Sequence, residues 1–235
     1  MIDTNGLKKQ AAEEAVKYIV SGMIVGLGTG STVYYALQRI SELLAIGELE
    51  KIYGIPSSIH TAQEAQKLGI PLSSLDDHPR ISITIDGADE VDPQLNLIKG
   101  GGGALLREKI LAQNSKREII IIDQTKLVPQ LGNQHALPVE VLPFACRSEM
   151  NFLESLGAEV TLRTNKDGSI YKTDQENLIL DCQFGPIADP HKLAQLLSNR
   201  AGIMEHGLFL GLTSLVIVAG EGGIRRLTPS KPAGS

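Results

Sequence analysis

Three stretches of this chain carry residue types and spacings suited to chemistry. "DGADEVD" (86–92) places four carboxylates directly after the apolar run "ISITI" (81–85). Carboxylates at the carboxyl end of a buried strand can hold sugar hydroxyls, act as acid or base, or bind Mg²⁺. The plain alternative is a solvated acidic loop. Asp86 and Asp89 are the candidates, with Gly87 and Ala88 between them; Asp92-Pro93 reads as a turn. "KGGGGALLREK" (99–109) puts Lys99 in front of four glycines. Such a run is conformationally costly unless the backbone must approach something closely. Lys99 brings positive charge to that approach, past Gly100, Gly101 and Gly102. Glu108 follows on the next helix, either as a functional carboxylate or as a solvent-facing member of "REK".

The third stretch is "GLGTGST" (26–32), between a strand and a helix. Small residues admit a ligand to the backbone, and a helix N-terminus offers free N–H groups to an anion. Thr29, Ser31 and Thr32 add hydroxyl donors around Gly30. The stretch lacks the lysine of a P-loop, and it fails G-x-G-x-x-G. It is a phosphate-binding candidate, or simply a tight turn. Lys126, after the strand "REIIIID" (117–123), is expected on the same sheet edge as the other loops, or is simply a surface lysine. The histidines show no metal-binding spacing, and His206 reads as a hydrogen-bonded structural residue. Cys146 and Cys182 form neither a metal pattern nor a disulfide framework and read as buried thiols.

The elements that must position these loops follow from periodicity. Helices are expected at 5–21, 31–45 with Ser31 as a suitable N-cap, 60–69 and 103–114. Strands are expected at 23–28, 51–56, near Ile70, at 81–86 and at 117–123. Apolar strands alternating with helices imply a parallel sheet covered on both faces. The rhythm then changes. Strands at 136–143, 158–164, 177–184 and 204–211, with helices at 146–157 and 189–202, give the order β-α-β-β-α-β, a ferredoxin-like arrangement. "NKDGS" (165–169) is a turn. The strand "SLVIVAG" (214–220) can return to the first sheet, which makes the smaller domain an insertion. The expected domains are 1–130 with 208–235, and 131–207. The tail "RRLTPSKPAGS" reads as frayed.

Composition narrows the function classes. The chain has 235 residues, 42% hydrophobic and 21% charged, as in an ordinary globular protein able to bury a sizeable core. A formal charge of −5 argues against a nucleic-acid partner. No apolar run approaches the ~18 residues of a membrane span. The N-terminal stretch carries acids and lysines at helical spacing and is no secretory signal. A soluble cytoplasmic protein is expected.

Taken together, "GLGTGST", "DGADEVD", "KGGGGALLREK", "DQTKLV" and "EHGLFLG" resemble, in order and spacing, ribose-5-phosphate isomerase of the A type, over about residues 5–228. The resemblance implies a Rossmann-like domain, a smaller α/β domain and a homodimer or homotetramer. It implies interconversion of ribose 5-phosphate and ribulose 5-phosphate, with no metal and no cofactor. By the same resemblance Glu108 is the catalytic base, Asp86 and Asp89 hold the sugar and assist ring opening, and Lys99 lies beside the reacting carbons. Thr29, Gly30, Ser31, Thr32, Gly87, Ala88, Gly100, Gly101, Gly102 and Lys126 fall at substrate-binding positions, with Lys8 as a further phosphate contact. Gly103 departs from the family's common alanine, which is expected to loosen the helix start. Two other readings stay open: a phosphosugar-sensing module of this fold without catalysis, and a Mg²⁺-dependent phosphohydrolase using the acidic loop. A chelator would expose the latter. The former normally carries a DNA-binding segment, which this sequence lacks.

Overall fold

The structure, a computed structural model, describes residues 4–229. Its described residues divide into two compact units: residues 4–88, 107–126 and 211–229, and residues 89–106 and 127–210. The expectation from sequence places 89–106 with the larger domain.

The first unit is built on a six-stranded sheet in the order β13-β12-β6-β3-β1-β2. Its strands are β1 (Ile24–Leu27), β2 (Tyr53–Pro56), β3 (Ile83–Asp86), β6 (Glu118–Asp123), β12 (Leu215–Gly220) and β13 (Gly223–Leu227). All neighbouring pairs are parallel except β12 with β13. Continuous isoleucine runs suit strands buried on both faces. Ile119 and Ile121 of β6 join the core beneath helices α1 (Thr4–Val16) and α2 (Ser31–Ala45). Ile120 and Ile122, on the opposite face, are equally buried. Ala11, Ala12, Ala15 and Ala36 line the contact of α1 and α2 with that core, and their small side chains permit close packing. Helix α3 (Ile59–Lys67) begins at the N-cap Ser58, whose hydroxyl accepts from the Thr61 N–H.

Four local expectations change. Helix α1 ends at Val16, not near residue 21, because Tyr18 and Ile19 donate to Ala15 and Val16 in i→i−3 turns. Gly30, not Ser31, is the N-cap of α2. The region near Ile70 forms only a single parallel bridge, Gly54 to Leu72. The tail is not frayed where described: residues 223–227 form β13, and Arg226 pairs with Glu14 of α1. The rest of that tail, 230–235, lies outside the described residues.

The second unit contains a four-stranded antiparallel sheet in the order β10-β7-β9-β8. Its strands are β7 (Leu137–Val141), β8 (Glu159–Leu162), β9 (Leu178–Gln183) and β10 (Ile203–His206); α5 (Cys146–Ser155) and α6 (Pro190–Ser198) complete the β-α-β-β-α-β order. Residues 165–169 form the expected turn, closed by Asn165 N–H to the Ser169 carbonyl. A small sheet absent from the sequence reading joins β4 (Glu90–Val91), β5 (Leu97–Ile98) and β11 (Leu208–Phe209), in the order β11-β5-β4. The expected strand at 204–211 is therefore two, β10 and β11, parted at Gly207. A Cβ on Gly207 would lie 2.3 Å from the Lys99 carbonyl oxygen, so only glycine lets these backbones meet. Helix α4 (Leu105–Asn114) follows the glycine run.

Candidate active site

In the first unit β1 lies between β2 and β3, so the chain moves to one side of β1 for β2 and then crosses to the other side for β3. A crevice beyond the strands' carboxyl ends at such a switch point is where open α/β sheets bind ligands. The loops there are Gly28–Gly30, after β1, and Gly87–Ala88, after β3. They are locked to one another. Gly28 N–H donates to the Ile85 carbonyl at 3.0 Å. Thr29 N–H donates to Asp86 Oδ1 at 3.2 Å, and Gly87 N–H donates to the same oxygen at 2.7 Å. Asp86 is fully buried, consistent with a carboxylate held by backbone donors.

The Thr29 hydroxyl sits in a cluster that sequence reasoning missed. It lies 2.7 Å from Ser57 Oγ, 2.9 Å from Ser58 Oγ and 3.0 Å from Thr61 Oγ1. Thr61 in turn donates to the Gly28 carbonyl at 2.9 Å. These hydroxyls tie the β1 loop to the start of α3. The signal was present in "PSSIHT", where an N-cap pattern follows a strand.

The N-terminus of α2 has no side-chain cap. Its first N–H groups therefore remain available to an anion. Ser31 is exposed and Thr32 half-buried, and Lys8 Nζ donates to Ser31 Oγ at 2.9 Å. A cation and a hydroxyl thus stand at a helix start whose partial charge is also positive. Lys126 closes a short 3₁₀ turn, Gln124–Lys126, after β6. Because β6 runs parallel beside β3, this turn lies on the same sheet edge as the Asp86 loop.

Glu108, in the first turn of α4, is only 4% exposed, and Lys109 beside it is 5% exposed. The alternative of a solvent-facing Glu108 is thereby overturned.

In the second unit the acidic stretch separates by role. Glu90 is fully buried, and its carboxylate accepts the N–H groups of Gly132 at 2.7 Å and of Gln134 and His135 at 2.6 Å. Asp92 caps its own turn, accepting from Gln94 and Asn96. Both are structural, so the stretch is not a merely solvated loop. Asp89 is half-buried, and its Oδ2 accepts the Gly101 N–H at 2.8 Å. Lys99, 2% exposed, donates its N–H to the Gly207 carbonyl at 2.9 Å and lays its ammonium 5.4 Å from the Phe209 ring centre. That cation–π contact steadies a charge removed from water. "EHGLFLG" thus supplies the supports of Lys99, a task not readable from its residues alone.

Gly103 does not loosen the helix start. Its φ is +78°, which disfavours any side chain, and a Cβ would lie 2.1 Å from Tyr171 Oη. His206 is the structural residue expected: its Nδ1 accepts the Leu208 N–H and its Nε2 lies 3.2 Å from Ser198 Oγ. Cys182 is buried and Cys146 half-buried, both free, and burial pushes both thiols up.

A switch-point crevice edged by a buried aspartate and an uncapped, cation-flanked helix start defines an α/β protein suited to a small phosphorylated ligand. The model of the family ribose 5-phosphate isomerase A (phosphoriboisomerase A) matches residues 53–223. Ribose-5-phosphate isomerase A of Desulfatibacillum aliphaticivorans is 59% identical over 227 residues, covering 97% of this chain and 99% of that protein. Two solved structures are similar throughout. Ribose 5-phosphate isomerase from Plasmodium falciparum has a TM-score of 0.92 at 42% identity, covering 95% of this chain and 98% of its own. A D-ribose-5-phosphate isomerase in complex with phospho-erythronic acid has a TM-score of 0.94 at 38% identity, covering 97% and 100%. The chain belongs to the ribose 5-phosphate isomerase A family. It is an isomerase that interconverts ribose 5-phosphate and ribulose 5-phosphate in the pentose phosphate pathway.

Proposed function

We propose that the isomerisation runs through an enediolate, with Glu108 as the base. Aldose and ketose differ by one proton moved between C1 and C2 and one moved between their oxygens. Glu108 takes the carbon-bound proton and returns it to the neighbouring carbon. Asp86 and Asp89 hold hydroxyls, open the ring form and carry the oxygen-bound protons. Lys99 and the N–H groups of the glycine loop stabilise the charge on the enediolate oxygens. The phosphate does not react; the start of α2, with Ser31, Thr32, Lys8 and Lys126, grips it and positions the other end.

The observation that carries this reading is the burial of Glu108. Glu108 stands in the first turn of the helix that follows the glycine loop, and its carboxylate is held out of bulk water there rather than on a solvent face. Glu108→Gln keeps the shape and removes the basicity. It is expected to lower kcat by about a hundredfold or more while substrate binding and Tm stay near wild type. A variant retaining more than about a tenth of wild-type kcat would remove Glu108 from the base role.

The chain is further proposed to work as a homodimer or homotetramer in the cytoplasm, a reading supported by the family alone. Sedimentation at working concentration tests the assembly. The non-catalytic sensing module is disfavoured by the isomerase relatives and by retention of Glu108.

A further inference from the structure

The glycine loop is held from one side by residues assigned no role so far. Arg163, just after β8, forms a fork on Asp181 of β9: its Nε donates to Oδ2 at 2.8 Å and its Nη2 to Oδ1. The remaining arm, Nη1, donates to the Gly100 carbonyl at 2.8 Å and to the Gly101 carbonyl at 3.2 Å. Tyr171 Oη lies 3.4 Å from the Gly102 carbonyl oxygen, and its ring lies 5.9 Å from the guanidinium. Burial pushes the Tyr171 phenol up, which keeps it a protonated donor. Three successive carbonyls of an otherwise pliable run are thus gripped by one hairpin.

The consequence follows from the planar trans peptide, in which each C=O points opposite to the next N–H. Fixing the Gly100 carbonyl aims the Gly101 N–H, which reaches Asp89 Oδ2. Fixing the Gly101 carbonyl aims the Gly102 N–H away from Arg163, into the exposed side of the loop. Hydrogen bonding of a cation to a carbonyl also polarises that peptide and strengthens the N–H as a donor.

We propose that Arg163, braced by Asp181 and assisted by Tyr171, is a positioning residue that sets the Gly102 N–H as a donor for the charge that develops on the sugar oxygens and, through the Gly101 N–H, holds the Asp89 carboxylate in place. This rests on the reading of the glycine loop as the enediolate's support. The unassisted loop would sample many conformations, glycine being the least restricted residue, and a donor that must be found anew in each turnover contributes little. Arg163 supplies the order that the glycines lack. Gly103 belongs to the same device, since its missing side chain leaves room for the Tyr171 ring.

The test measures kcat, KM and the Kd of phospho-erythronic acid, whose carboxylate presents two coplanar oxygens and negative charge as an enediolate does. Arg163→Met is expected to lower kcat by about tenfold or more, to change KM by less than about threefold, and to weaken the acid by a factor similar to the kcat loss. Arg163→Lys, which keeps the charge but not the planar fork, should fall between wild type and Arg163→Met. Should Arg163→Met not fold, Arg163→Lys and Asp181→Asn decide by the same three quantities. Wild-type kcat and acid affinity in the folded variants would overturn the proposal, as would a loss confined to KM. Lys99→Met in parallel separates the two levels. If it abolishes both turnover and acid binding while the Arg163 and Asp181 variants behave as wild type, only the positioning role falls. If it too is silent, the glycine-loop reading falls with it.

Discussion

Asp86 Oδ1 accepts the Thr29 N–H at 3.2 Å, and the residue that makes this approach possible is Gly28. A Cβ on Gly28 would lie 2.1 Å from that same Oδ1, 2.2 Å from Asp86 Cγ and 2.7 Å from Asp86 Cα. The last atom is backbone in the middle of a buried sheet and cannot step aside.

Gly28→Ala should therefore do more harm than an ordinary overpacking substitution, which costs about 1–3 kcal/mol. Either β1 and β3 separate at their carboxyl ends, or Asp86 leaves its place. The expected result is a Tm lowered by several degrees, at roughly 2–4 °C per kcal/mol for a chain of this size, with a kcat loss of about a hundredfold or more. Gly22→Ala is the control, because open space surrounds that position, although its φ of +84° adds a modest strain. Thermal melts and steady-state kinetics on both variants check this. Equal effects at the two positions would mean that the approach of Gly28 to Asp86 does not matter.

The phosphate reading makes a prediction about ratios. Ser31→Ala with Thr32→Ala removes hydroxyl donors from a helix start that has no side-chain cap. Charge-assisted hydrogen bonds contribute about 1.5–3 kcal/mol each. The double variant should lose about a hundredfold or more in kcat/KM for ribose 5-phosphate, and far less for unphosphorylated ribose. Lys8→Met, which removes the cation donating to Ser31, should shift the ratio in the same direction by a smaller factor. Equal losses for the two sugars would make the loop a structural turn.

Glu140 gives a prediction about pH and stability. It is fully buried on β7, and burial holds its carboxyl above the ordinary 4.5, against the lowering by hydrogen bonds from Asn177 and Thr173. Glu205 and Asp174 raise it further. A raised folded-state value means that the folded protein holds the proton more tightly than the unfolded chain. The resulting stabilisation is complete below about pH 4.5 and is lost as pH rises through the folded-state value. Glu140→Gln keeps an acceptor for Asn177 and Thr173 and cannot ionise. The Tm of the variant minus that of wild type should therefore grow as pH rises from about 4.5 towards 7. A difference independent of pH would mean that Glu140 does not carry a raised value.

Much of this protein was legible in its residues. The isoleucine runs of β3 and β6 could only be strands buried on both faces, and their alternation with helical periods implied the parallel sheet. The change of rhythm after residue 131 carried the β-α-β-β-α-β order of β7 to β10. Glycine blocks at strand ends marked the loops where chemistry sits, because glycine is informative about local backbone geometry. The tertiary structure decided what depends on partners distant in sequence. Periodicity shows which face a helix buries only where polar and apolar residues alternate, and "REK" offers no such contrast, so the burial of Glu108 was left open. The two-residue strands β4, β5 and β11 are too short to have a period, and with them the structural use of Glu90 stayed hidden among four similar acids. Arg163 lies 63 positions from Gly100. A hydrogen bond across that separation is set by the packing of whole elements, and no local pattern encodes it.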